Sequence, residues 1–149
     1  MLIKKINDVI KEKEKYGECI NEGVQEKEIG IFKKAAYKEL NIELPAEYLQ
    51  FLKTTNGLES NGSIIYGIDK EFLEHDLNVE NNGFIDNNKV WHENEWLKHY
   101  VFFGDGDISW YVYDMLSNKY LELDRPSGEE MEEFNNFNDM IMAILNNMI

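Results

Sequence analysis

The chain has 149 residues, 43% of them hydrophobic and 13% aromatic, with a formal net charge of -14 and a mean hydropathy of -0.52. That length and that supply of Phe, Tyr, Trp and Ile fit one folded domain spanning residues 1–149 with a real core, and they exclude low-complexity disorder. The acidity repels phosphate backbones and anionic lipid, so no nucleic acid and no membrane is expected as a partner.

The first helix is predicted over residues 2–16, because Leu2, Ile3, Ile6, Val9 and Ile10 recur at helical spacing and Gly17 supplies a stop. Lys4, Lys5, Asn7 and Asp8 interrupt its apolar positions, so it does not read as a secretory signal. Cys19 is the single cysteine, which rules out an intrachain disulfide and suits a reducing cytoplasm, the expected location. A second helix is predicted over 25–40, with Ile29, Phe32, Ala36 and Leu40 on one face and Gly30 as an internal weakness. Leu44-Pro45 opens a third over about 44–55, since proline lacks only an N–H that the first turn leaves unpaired anyway. Asn56-Gly57 then closes it.

From here the periodicity turns extended. Strands are predicted over 63–68, 100–103, 108–114 and 119–123, rich in β-branched and aromatic residues. Gly104-Asp105-Gly106-Asp107 and Leu116-Ser117-Asn118 are short enough to join the last three as antiparallel hairpins. In 108–114, Ile108, Trp110, Val112 and Asp114 alternate with Ser109, Tyr111 and Tyr113, which predicts one apolar and one tyrosine-bearing face. Residues 69–99, with turn-forming Asn78, Asn81, Asn82, Asn87 and Asn88, read as a long irregular insert with short helical pieces. A closing helix is predicted over 129–147, with an acidic first turn and a stripe of Phe134, Phe137, Ile141, Ile144 and Leu145. The order is α+β: N-terminal helices, a small antiparallel meander, and a C-terminal helix packed on the sheet.

The run from Glu39 to Leu52, Glu-Leu-Asn-Ile-Glu-Leu-Pro-Ala-Glu-Tyr-Leu-Gln-Phe-Leu, closed by Asn56-Gly57, resembles the signature of the SUKH superfamily, the group of the Smi/Knr cell-wall-assembly regulators and many bacterial immunity proteins. The later strand entering a Gly-Asp-Gly turn, the aromatic strand and the last helix fit the same order, so the resemblance spans about 23–148. It implies a non-catalytic protein-binding domain without cofactors, with Leu44, Pro45, Tyr48, Phe51, Leu52, Asn56 and Gly57 as structural signature residues. It also implies a protein partner, in the bacterial branch a cognate toxin, often a nuclease.

Several constellations invite chemistry. His92, Glu95 and His99 would share a helix face at spacings of three and four, as a metal site or metal-dependent enzyme requires. Position 96 is Trp, however, where a zinc-protease helix has its second histidine. Asp105 and Asp107 could hold a hard cation with Asp86 or Asp114, although Asp and Gly are also what a hairpin turn selects. Glu74, His75 and Asp76 could form an acid–base group, but no nucleophile stands in a recognisable context. No catalytic residue and no metal ligand is therefore expected.

Charge patterning gives the better lead. Residues 1–40 hold nine Lys and eight Asp or Glu, a net of +1, whereas residues 41–149 hold six Lys or Arg against 21 Asp or Glu, a net of -15. Aromatic side chains in an acidic field suit a basic protein partner. The expected contact set is Trp91, Glu93, Glu95, Trp96, Asp105, Asp107, Tyr111 and Tyr113. The expected function is neutralisation of a basic toxin domain through this surface, with a regulatory or scaffolding module as the alternative.

Overall fold

The computed structural model describes residues 2–74 and 82–149. Two helices open the chain, α1 (Leu2–Lys15) and α2 (Glu26–Leu40). The apolar stripe of α1 is buried through Ile6 and Val9, and the helix packs against the last helix of the chain. At the start of α2, the Glu28 carboxylate accepts the Gln25 N–H at 2.9 Å and the Glu74 N–H at 3.0 Å. Asn41 ends α2 with φ of 56°, a left-handed cap that asparagine tolerates. Helix α3 (Ala46–Thr54) follows Pro45 and buries Tyr48, Phe51 and Leu52.

Tyr48 is the centre of the core. It is fully buried, and its hydroxyl donates to the Tyr66 carbonyl at 2.8 Å. The rings of Phe84, Phe103 and Phe137 lie 5.5, 5.1 and 5.7 Å from its ring. Burial pushes its phenol well above the ordinary tyrosine range, so it stays a neutral donor. Asn56 performs a second structural task. Its side-chain oxygen accepts the Ile68 N–H at 2.7 Å, and its backbone carbonyl accepts from the Asn21 amide at 2.8 Å. Beside it Gly57 has φ of 80°, and a Cβ there would stand 2.9 Å from the Gly67 nitrogen, so this crossing of two backbone segments requires glycine.

The sheet has six antiparallel strands in sequential order: β1 (Leu58–Ser60), β2 (Ser63–Ile65), β3 (Tyr100–Asp105), β4 (Ser109–Asp114), β5 (Lys119–Asp124) and β6 (Glu130–Phe134). It is thus a full meander, larger than the predicted one. The missed strand β1 is only three residues long and is held by a tight turn in which Asn61 and Gly62 both have positive φ. Register places Phe102, Val112 and Leu121 on one face, with Trp110 and Leu123. Phe103, Tyr111, Tyr113 and Tyr120 lie on the other, where α5 (Phe137–Asn146) packs. The predicted tyrosine-bearing face of β4 is the helix-covered one: Tyr111 is 2% exposed and its hydroxyl accepts from the Asn147 amide at 3.0 Å.

The predicted helix over 129–147 is corrected. Its first third is β6, and α5 begins only after Asn136, whose side chain accepts the Asp139 N–H at 2.8 Å. Pairing with β5 outweighs the helix propensity of a glutamate-rich run.

The insert 69–99 contains a 3-10 turn at Lys70–Phe72, the helix α4 (Phe84–Trp91) and a second 3-10 turn at Glu95–Leu97. Strand β2 pairs only with the C-terminal end of β3, which leaves the N-terminal half of β3 with an open edge. Helix α4 closes it. The fully buried Asn88 amide donates to the Phe102 carbonyl at 2.9 Å and accepts the Phe102 N–H at 2.7 Å, as a neighbouring strand would. His92 Nε2 reaches the Tyr100 carbonyl at 2.7 Å.

Candidate acidic docking surface

Helix α4 and the turn after it carry Trp91 and Trp96 onto the sheet face opposite α5. Trp91 stacks within 5.9 Å of Phe102 and 5.4 Å of Trp110, and Trp96 lies 6.3 Å from Trp110. Leu97 is fully buried beside them. The Arg125 guanidinium sits 5.0 Å above the Trp91 ring and donates to the Gly106 carbonyl at 3.1 Å. Trp96 rests on the turn between β5 and β6: a Cβ on Gly128 would stand 2.4 Å from its ring. One side of this indole is thus fixed against the turn, yet Trp96 is 50% exposed.

Below it, Trp110 is 3% exposed and its Nε1–H has no hydrogen-bond acceptor among the described residues. A buried donor left unpaired costs about 1–3 kcal/mol.

The segments that meet at this aromatic group are acidic. The segments 93–98 and 124–134 hold seven Asp or Glu against Lys98 and Arg125, a net of -5. Glu93, Glu95, Glu129, Glu130, Glu132 and Glu133 are exposed, with Glu130 and Glu133 on the tryptophan side of the sheet and Glu132, opposite Glu122, on the α5 side. Lys98 pairs with Glu95 and Lys119 with Glu133, each at 2.8 Å, on side chains about half exposed or more, so these pairs hold little energy.

The eight expected contact residues divide among different environments. Trp91, Glu93, Glu95 and Trp96 come together on this surface. Asp107 is exposed at the β3–β4 turn, beside Gly62. Tyr113 stands on the opposite sheet face, in a groove of about 500 Å³ with Leu44, Pro45 and Tyr120. Tyr111 and Asp105 are not surface groups: Asp105 is 8% exposed, accepts from the buried Tyr66 hydroxyl and faces Arg125 at 3.5 Å. Burial holds the Asp105 carboxyl above the usual carboxylate range, against the pull of Tyr66 and Arg125. The sequence reading missed β6 as part of the surface, because its glutamates were assigned to a helix. The Asn135-Asn136 pair ahead of Asp139 was the available sign that the helix starts later.

The side chains of the constellations weighed for a metal are held by separate partners. Helix α4 ends at Trp91, so His92, Glu95 and His99 share no helix face. His92 is engaged with Tyr100, Glu95 with Lys98, and His99 stacks on Tyr100 at 4.0 Å. Asp114 is turned to the Leu116 N–H and the Ser117 hydroxyl, away from Asp105. Asp86 instead lies with Asp69 and Glu71. There the buried Asp69 caps α4, accepting the Ile85 and Asp86 N–H groups at 2.9 Å each. His75 and Asp76 lie outside the described residues.

The architecture defines a class: a helix-flanked antiparallel meander whose signature residues Tyr48, Phe51, Leu52, Asn56 and Gly57 are buried, with an exposed tryptophan and acidic groups on its surface. The model of the SMI1 / KNR4 family (SUKH-1) matches residues 23–143, most of the chain, and the chain belongs to that family. No curated protein sequence matches it. Helix α1 precedes the matched region, yet it is packed into the same core. No helix among the described residues is long and apolar enough to cross a membrane.

Proposed function

We propose that this chain is a non-catalytic binding domain that neutralises a basic toxin domain by covering its nucleic-acid-binding surface. The observation that supports it best is the half-exposed Trp96 on the sheet face that also carries Glu130 and Glu133, with Glu93 and Glu95 beside it in sequence. Aromatic anchors with a fixed ring orientation contribute most of the energy of protein interfaces. A surrounding field of one sign accelerates encounter with a partner of the other sign and rejects like-charged competitors. A nucleic-acid-binding surface is such a partner, because it is built to meet phosphate.

The test is an affinity capture with the full chain, using lysate of its source cells and the product of the neighbouring gene, repeated with Glu93, Glu95 and Glu130 reversed to Lys. One basic partner, lost on charge reversal and no longer toxic when bound, is the expected result. Capture of a partner that is neither basic nor toxic would replace this reading with the regulatory role. Capture unchanged by charge reversal would remove the acidic surface from it.

A further inference from the structure

We propose that β6 is a docking edge at which a partner adds an extended lysine- or arginine-bearing strand, as a seventh strand of the sheet. This rests on the acidic-surface reading and specifies how that surface is used.

The other exposed strand edges are closed by side chains. Asn88 and His92 occupy the open half of β3. At β1, the outward-facing Glu59 carbonyl accepts from Lys13. Strand β6 pairs with β5 on one side, and no strand among the described residues pairs with its other side. Its direction can be read from β5. Asp124 turns its N–H to Glu129 O and its carbonyl to Gly128 N, at 2.7 Å each, so it faces β6. Antiparallel alternation carries that direction to Glu122 and Tyr120, whose register partners are Glu132 and Phe134. Glu133, between those partners, therefore turns its N–H and carbonyl outward. Four of the five β6 residues are exposed, and three of those are glutamate.

An unpaired edge is a template for another strand unless something defends it. Here the defence is selective. A second copy of this chain would bring glutamate against glutamate, which is destabilising across a strand pair. The extra residue Met131, in the register shift opposite Glu122 and Leu123, also spoils a long flat pairing. A basic strand meets no such repulsion, and its far end would reach the turn on which Trp96 rests. Main-chain bonds would supply affinity and the alternate side chains specificity, as in strand addition generally.

The probe is a blocked eleven-residue peptide alternating Lys with Val or Thr, compared with the same peptide N-methylated at alternate residues. Binding to the full chain is followed by calorimetry and by hydrogen exchange of the β6 amides. We expect N-methylation, which leaves charge unchanged, to weaken binding at least tenfold, and the Glu133 amide to gain protection only with the unmodified peptide. Glu133→Pro should weaken binding at least tenfold and Glu133→Gln only a few-fold. Proline here removes an N–H that the β5–β6 ladder does not use, and circular dichroism of both variants confirms that they fold. Equal binding of the two peptides overturns strand addition while leaving the acidic surface intact. Binding of neither peptide overturns strand addition, and loss of the charge-reversal effect in the capture experiment separately overturns the reading beneath it.

Discussion

Replacing Asn88 with Ala would test whether one buried amide holds α4, and with it Trp91 and Trp96, against the sheet. The side chain is fully buried and satisfies both backbone groups of Phe102, at 2.7 and 2.9 Å. Its removal leaves a buried N–H and a buried carbonyl without partners, each worth about 1–3 kcal/mol, and water reaching the new cavity recovers part of that. The expected loss is about 2–4 kcal/mol. With a urea dependence of about 2 kcal/mol per molar, the unfolding midpoint falls by about 1–2 M. Asn88→Asp sharpens the test, because a carboxylate can accept from the Phe102 N–H but would face the Phe102 and Phe84 carbonyls, both acceptors. That repulsion raises its pKa in the folded state above the unfolded one, so its deficit should be largest at pH 7 and shrink as the pH is lowered toward 4. An alanine variant within about 1 kcal/mol of the parent would refute the reasoning and assign the closure of β3 to the aromatic contacts instead.

Asp105 and Asp69 are both held above the ordinary carboxylate range, mainly by burial. A raised folded pKa means that the folded state binds more protons, so stability should fall as the pH rises from about 4 through the raised values. Urea midpoints at pH 4.5 and 7.5 should differ less in Asp105→Asn than in the parent; an unchanged difference would count against this assignment. Asp69→Ala removes the acceptor of two N–H groups at the start of α4, and chemical denaturation should show a loss of about 2 kcal/mol. Gly128 has φ of +77°, and its added Cβ would press on the Trp96 ring. Gly128→Ala should therefore cost about 1–2 kcal/mol and change Trp96 fluorescence, whereas Gly17→Ala, with similar φ and open space around it, should leave fluorescence unaltered.

The family run shows how far pattern alone reaches. Leu-Pro followed by Tyr48, Phe51 and Leu52 at helical spacing predicts a short helix with a buried face, and the core is built around that tyrosine. The same logic located α1 and α2 and the pairing of β3 with β4 and of β4 with β5, because periodicity and turn residues are local properties. It failed at β6, where a glutamate run that favours helix is drawn into a strand by its neighbour. It failed also at Tyr111 and Asp105, whose residue types suit a surface but whose partners, Asn147 and Tyr66, are distant in sequence.

Composition and charge by themselves determined that this chain has material for an aromatic core and an acidic exterior, and its motif determined the family. Only the tertiary structure decided which aromatics remain exposed. Trp91, Trp96 and Trp110 are alike in sequence, yet Trp110 lies in the central strand β4, Trp91 lies beneath Arg125, and only Trp96, at the end of the insert, is left half open. Exposure depends on what long-range packing places over a side chain, and a local pattern does not contain that information.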